Sequence, residues 1–153
     1  MKGVKKEVLD NGITLYMLKI PEARTIGISA IVGIGSIYED KNKRGISHLL
    51  EHILSLSNMG RSYGSFIRFV ELSGGIANAY TSRFLSYYMC ETIPESFEKV
   101  ANALFQMLDR KRFEKNTFKR EKNAVLSEME NIGKDSIDNL IPIAVFGESD
   151  YGD

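Results

Sequence analysis

The spacing of the apolar residues changes several times along this chain, and this change constrains the fold more than any other feature. Two short segments, 5–9, which ends in Val8-Leu9, and the largely apolar 13–20, flank Asp10-Asn11-Gly12. Asn-Gly between apolar runs is typical of a β-hairpin. Isoleucines that alternate with small residues over 25–37 predict a long central strand. Two further strands are predicted at 76–80 and 84–93.

Between and after these strands, the apolar residues recur at helical spacing. They predict helices near 46–54, 62–72, 94–108, 116–131 and 137–146. Ser62 is the predicted cap of the second helix, and Pro94 suits the first turn of the third. The third helix has an apolar face that includes Phe97, Val100, Leu104 and Phe105. This order of elements predicts an α+β domain, with a largely antiparallel sheet and helices packed on it.

The composition excludes several classes of partner. The chain has 20 basic and 20 acidic residues, so its net charge gives no general attraction to nucleic acid or to an anionic membrane. No apolar run approaches the roughly 20 residues of a membrane-spanning helix. The start of the chain does not resemble a secretory signal. The single cysteine, Cys90, lies in an apolar run and is predicted to be a buried, reduced thiol. These features predict a cytoplasmic protein.

The only two histidines of the chain lie within five residues of each other, in His48-Leu-Leu-Glu51-His52. On a helix, residues at i and i+4 project from one face, one turn apart. Two imidazoles so placed can bind one Zn²⁺ ion through nitrogens at about 2.0–2.1 Å. Glu51 would lie beside such an ion without binding it, and could accept a proton from a water molecule that the ion makes acidic.

A catalytic zinc site normally has three protein ligands, so a third ligand is needed. No histidine remains, which makes a carboxylate the expected donor. Glu121 and Glu128 are the best candidates because they lie seven residues apart and share a helix face. One of them could bind the metal while the other orients a ligand. The spacing does not choose between these roles, and two surface glutamates on a charged helix remain an alternative.

Several longer segments resemble the pitrilysin family of zinc peptidases, which includes insulin-degrading enzyme and the mitochondrial processing peptidases. H-x-x-E-H is the inverted zinc motif of the inverzincins. The segments that carry the resemblance occur in the family's order and cover nearly the whole chain: GSIYEDKNKRGISHLLEH (35–52), LSGGIANAYTSR (72–83), REKNAVLSEMEN (120–131) and FGESDYG (146–152).

The resemblance implies a role for each matching residue. His48, His52 and Glu128 would bind one zinc ion per chain. Glu51 would be the general base, and Glu121 would be the acidic residue that supports the site. Asn78 and Ala79 would pair with a substrate peptide along a strand edge. The implied activity is zinc-dependent endopeptidase cleavage of peptides or unfolded polypeptides.

The chain departs from the family in two respects. Residues 53–58 differ from the Lys-Gly-Thr-like turn that usually follows the motif. Family members also have two homologous halves that close into a chamber, whereas residues 1–153 match a single, truncated N-terminal catalytic domain. We therefore expect a homo-oligomer, or a partner chain that supplies the missing half. A fragment or binding subunit that holds zinc but is catalytically silent is the alternative.

Overall fold

The computed structural model describes residues 3–56, 64–110, 112–132 and 144–145. Short 3₁₀ turns at Ser36–Tyr38, Lys41–Lys43 and Pro94–Ser96 connect the longer elements. In chain order the strands and α-helices are β1 Val4–Val8, β2 Thr14–Leu18, β3 Ile26–Val32, α1 Ile46–Leu56, α2 Phe66–Leu72, β4 Ile76–Thr81, β5 Ser86–Thr92, α3 Phe97–Leu108 and α4 Lys115–Ile132.

The strands of the described residues form two antiparallel sheets. The hairpin predicted around Asn11-Gly12 is present as β1 and β2, with Val4 opposite Leu18. The second sheet has the order β3-β5-β4, and both of its strand pairs are antiparallel. Helices α1, α2 and α3 pack against strands β4 and β5. The predicted α+β class, with a largely antiparallel sheet and packed helices, is confirmed.

The strand predicted over 25–37 is shorter than expected, and it lies at an edge of its sheet. Strand β3 ends at Val32, and a 3₁₀ turn begins at Ser36. The chain leaves the strand direction because the next segment bonds to the loop between β4 and β5, at Ser82 and Arg83, and to the first residue of β5. Ser86 Oγ donates to the carbonyl oxygen of Ile34 at 2.8 Å. The strand that lies centrally is β5, because its two neighbours pair with its opposite edges.

The helices begin and end close to the predicted positions. Helix α2 starts at Phe66, and the Ser65 hydroxyl accepts the Arg68 amide as its cap; the predicted cap Ser62 lies outside the described residues. Pro94 opens a 3₁₀ turn that leads into α3. The predicted helix at 137–146 falls outside the described residues except for 144–145, which are helical.

The hydrophobic core lies between the three-stranded sheet and the helices. Cys90 is 5% exposed, which agrees with the predicted buried thiol. Phe97 and Phe105 belong to the predicted apolar face of α3, but they are 41% and 50% exposed, whereas Val100 and Leu104 of the same face are buried. The buried core cluster consists of Leu54, Phe66, Val70, Tyr88, Cys90, Val100, Ala103, Leu104 and Met107. None of the helices in the described ranges is long and apolar enough to cross a membrane.

Candidate metal centre

The two histidines lie on α1, which packs against α4. The α1 helix forms because its apolar residues recur every three or four positions and can be buried together. Ile53 and Leu54 are 3% and 6% exposed, so this part of the helix is fixed by core packing. The rings of His48 and His52 lie one turn apart, with centroids separated by 4.8 Å and planes at 82°.

Glu128 of α4 approaches both imidazoles with a single carboxylate oxygen. Its Oε2 lies 3.6 Å from Nε2 of His48 and 3.5 Å from Nε2 of His52. The donor atoms of His48, His52 and Glu128 all lie within 4.8 Å of one another. Two elements that are distant in sequence therefore bring two nitrogens and one oxygen together.

The donor types suit a zinc ion, and two of the three separations between them are close to those of a zinc site. Zinc bonds of about 2.0–2.1 Å in tetrahedral geometry separate neighbouring donor atoms by about 3.3–3.4 Å. The two nitrogen–oxygen distances, 3.5 and 3.6 Å, are close to this separation. The side chain of His52 is 11% exposed, that of His48 is 31% exposed and that of Glu128 is 50% exposed. The cluster is therefore buried at His52 and open to solvent at Glu128.

Glu121 contacts the other ring nitrogen of His52. Its Oε2 lies 3.7 Å from Nδ1 of His52, and Nδ1 is buried without a hydrogen-bond partner. Glu121 is itself 4% exposed, and its Oε1 accepts the Arg120 guanidinium at 2.7 and 2.8 Å. A metal-binding histidine usually donates its second N–H to a carboxylate, and Glu121 lies on the correct side of His52 for this role.

Glu51 lies on α1 between the two histidines, and its side chain is partly buried. The Ser55 hydroxyl donates to the backbone oxygen of Glu51 at 2.6 Å, so this bond does not involve the Glu51 carboxylate. Burial raises the pKa of Tyr88 to about 12, and the charge of Glu51 contributes to this rise. The Glu51 carboxylate therefore lies close enough to β5 for its charge to raise the pKa of the Tyr88 hydroxyl.

Asn78 and Ala79 lie on β4, which is an edge strand among the strands that the structure describes. Asn78 is exposed, and its Oδ1 accepts the backbone N–H of Ala79 at 2.9 Å. Strand β4 packs against α1, and the Thr81 hydroxyl donates to the backbone oxygen of Ser47 at 3.5 Å. The predicted peptide-pairing residues therefore lie on a strand that contacts the helix of the two histidines.

Two residues near the cluster were missed by the sequence reasoning. Glu39 accepts hydrogen bonds from the backbone amides of Gly45 and Ser47 at the start of α1. Arg120 pairs with Glu121. The signal for Glu39 was present, because α1 follows a glycine that has no side chain to cap the helix. No comparable pattern indicated that Arg120 pairs with the next residue, Glu121.

The fold is similar to that of solved peptidases. A crystal structure of a protease from Helicobacter pylori superposes with a TM-score of 0.78 at 24% identity, covering 87% of this chain and 32% of that one. The crystal structure of pitrilysin has a TM-score of 0.71 at 22% identity, and covers 82% of this chain and 14% of that one. The described α+β arrangement is therefore that of pitrilysin-type proteins.

The sequence comparison defines the family. The model of the insulinase family, peptidase family M16, matches residues 16–147. This chain belongs to peptidase family M16. An uncharacterised zinc protease of Bacillus subtilis, YmxG, is 28% identical over 152 residues, which cover 97% of this chain and 37% of that protein. The β subunit of the mitochondrial processing peptidase of Saccharomyces cerevisiae is 27% identical over 132 residues, which cover 86% of this chain and 29% of that protein. The chain thus spans about a third of the length of these curated relatives.

Proposed function

We propose that this chain carries the zinc site of an M16 metallopeptidase, with His48, His52 and Glu128 as the ligands of one zinc ion. The observation that supports this proposal most directly is the approach of both Nε2 atoms to one oxygen of Glu128, at 3.6 and 3.5 Å. Two imidazoles and a carboxylate are a usual donor set for catalytic zinc, which leaves a fourth position open.

The proposed reaction is the hydrolysis of a peptide bond. Zinc, when bound, supplies Lewis-acid chemistry, because it polarises a carbonyl group and makes a water molecule more acidic. Glu51 accepts the proton of the attacking water and passes it to the leaving amine. Glu121 orients the ring of His52 through Nδ1 and is therefore a positioning residue in this scheme.

The proposed substrate is a peptide or an unfolded segment of a polypeptide. Its backbone would pair with the edge of β4 at Asn78 and Ala79, as an added strand does in β-augmentation. The Asn78 side chain occupies the Ala79 amide, so a pairing substrate would have to displace it. An extended backbone is the common feature of such substrates, and folded proteins would therefore be poor ones.

We further propose that residues 1–153 form the catalytic portion of a larger assembly. The relatives that it matches are about three times as long, and one of them is a subunit of a processing peptidase. A second copy of the chain, or another chain, would supply the remaining walls of the site. The cytoplasmic location stays a prediction.

A second candidate function is zinc binding without catalysis by the chain alone. The half-exposed Glu128 favours it, because solvent reaches the ligand cluster from that side. Electrostatic catalysis depends on excluding water and on fixed hydrogen-bond donors around the reacting carbonyl. Metal content and peptide hydrolysis therefore have to be measured separately.

The metal site is tested by measuring the zinc content of the purified chain after dialysis against a buffer that contains a trace of zinc. We expect one zinc per chain in the wild type and a large loss of zinc in His48→Ala and Glu128→Gln. Glu130→Gln is the matched control, because it removes the same charge from the same helix at an exposed position outside the cluster. Retention of stoichiometric zinc by His48→Ala would contradict the ligand assignment.

The catalytic role is tested with Glu51→Gln, using cleavage of an unstructured fluorogenic peptide. The amide keeps the shape of the side chain but does not accept a proton at neutral pH. We expect unchanged zinc content and a loss of cleavage of at least about a hundredfold, the lower end for a general base. If the wild type binds zinc but cleaves no peptide at any protein concentration, the second candidate function is favoured.

A further inference from the structure

Helix α1 begins without a capping side chain of its own. Its first residue is Ile46, and the residue before it is Gly45, whose φ of +85° is in the left-handed region. The first backbone amides of any helix have no partner inside the helix. Asn, Asp, Ser or Thr usually satisfies one of them from the residue that precedes the helix. A glycine cannot do so, and these amides need another acceptor.

Glu39 provides that acceptor from outside the helix. Its Oε2 accepts the Gly45 amide and its Oε1 accepts the Ser47 amide, both at 2.6 Å. These bonds are short and involve a charged acceptor, which makes them stronger than bonds between neutral groups. A negative charge at a helix N-terminus is also stabilised by the helix dipole. Both carboxylate oxygens of Glu39 are thus engaged by the first turn of α1.

Glu39 is held in turn by the sheet. It follows the 3₁₀ turn Ser36–Tyr38, and its own amide donates to the Ser36 oxygen at 3.2 Å. The amides of Ser36 and Ile37 donate to the backbone oxygens of Ser82 and Arg83, between β4 and β5, at 3.2 and 3.0 Å. A continuous series of hydrogen bonds therefore connects the loop between β4 and β5 to Ser47, the residue before His48.

The two histidines differ in how they are fixed. His52 is one turn inside the helix, is 9% exposed and precedes the buried Ile53 and Leu54. His48 lies in the first turn, where helices fray, and its side chain is 31% exposed. Core packing therefore determines the position of His52, whereas the first turn needs a separate restraint to keep His48 directed at Glu128.

We propose that Glu39 is a positioning residue of the metal centre, which holds the first turn of α1 so that His48 completes the ligand set with His52 and Glu128. This inference rests on the proposed zinc site. It assigns to Glu39 no contact with metal or substrate. Its effect passes through the backbone of Gly45 and Ser47.

The test compares Glu39→Gln and Glu39→Ala with the wild-type chain. Zinc affinity is measured by competition with a chromophoric chelator, and cobalt(II) absorption reports the geometry of the ligands. Asp40→Asn is the matched control, because it removes the neighbouring charge, which pairs with Lys43 at 3.4 Å and is exposed. Urea unfolding of the metal-free proteins separates a change at the site from a general loss of stability.

We expect zinc affinity to fall in the order wild type, Glu39→Gln, Glu39→Ala, because glutamine keeps one acceptor oxygen and alanine keeps none. The loss should reach about tenfold or more, the range for residues that orient a metal ligand. The cobalt spectrum of Glu39→Ala should differ from that of the wild type, whereas Asp40→Asn should keep the wild-type spectrum. A merely structural role would lower the urea midpoint and leave the spectrum of the folded protein unchanged.

Wild-type affinity and spectrum in both Glu39 variants would overturn this inference and leave the proposed zinc site intact. A wild-type chain that binds neither metal would overturn the proposed function instead. Amide hydrogen exchange tests, independently of metal binding, whether Glu39 holds the first turn of α1. Faster exchange at Gly45 and Ser47 in Glu39→Ala would support the hold on the first turn, and unchanged exchange would contradict it.

Discussion

The buried Nδ1 of His52 lies 3.7 Å from Oε2 of Glu121, while Nε2 of the same ring lies 3.5 Å from Oε2 of Glu128. One imidazole is therefore placed between two carboxylates of a single helix. Glu121 is almost fully buried and Glu128 is half exposed, so the two acids have different environments although both are on α4. This difference supports different roles for them, one beside the ring and one at the open side of the cluster.

Glu121→Gln should weaken zinc binding about tenfold without abolishing it. The amide keeps the volume of the side chain but removes the charge that we propose orients His52, and such changes typically lower metal affinity about 10–100-fold. Chelator competition measures the effect. Glu130→Gln, on the exposed side of the same helix, should bind zinc like the wild type. Complete loss of zinc in Glu121→Gln would make Glu121 a ligand.

Leu104→Ala should lower the free energy of unfolding by about 2–5 kcal/mol, because it leaves a cavity in the core. Leu104 is 1% exposed and belongs to the buried cluster under the sheet. Urea unfolding followed by circular dichroism measures the change. Leu72→Ala is the matched control, since Leu72 is 73% exposed and its truncation should change stability by less than about 0.5 kcal/mol. Equal losses in the two variants would contradict the described core.

Gly35→Ala should destabilise the protein by about 1–3 kcal/mol, the usual effect of overpacking. A Cβ at this position would overlap the backbone oxygens of Ser82 and Arg83, which accept the amides of the next two residues. Gly27→Ala is the control, because a Cβ at Gly27 meets no atom within 4 Å. Thermal or urea unfolding distinguishes the two variants, and similar stabilities would show that the segment after β3 is not closely packed.

The stability of the protein should fall as the pH rises above 9, partly because of Cys90. Burial raises the pKa of the Cys90 thiol from 9.0 to about 11. As the pH rises, the thiol of the unfolded chain loses its proton near pH 9, whereas the thiol of the folded chain keeps it until about pH 11. Between these values deprotonation favours the unfolded chain, so the free energy of unfolding falls. Urea midpoints at pH 8 and pH 9.5 measure this slope. The slope should be smaller in Cys90→Ala, and an identical slope would mean that the thiol is not buried.

The sequence by itself determined the kinds of elements and the relation of the two histidines. The hairpin at Asn11-Gly12 and the helix of His48 and His52 form from contacts between near neighbours in the chain. Such contacts leave a period in the sequence, because side chains repeat every second residue in a strand and about every 3.6 residues in a helix. The i, i+4 spacing therefore sufficed to place both imidazoles on one face.

Only the tertiary structure decided which distant groups meet that face. Spacing left Glu121 and Glu128 equivalent, whereas packing of α4 against α1 directs one to each nitrogen of His52. The edge position of β3, the exposure of Phe97 and Phe105 and the bonds of Glu39 to α1 were also beyond the sequence reasoning. Each depends on contacts between separate elements. The burial and hydrogen bonding that fix such contacts produce no periodic pattern of residues in the sequence.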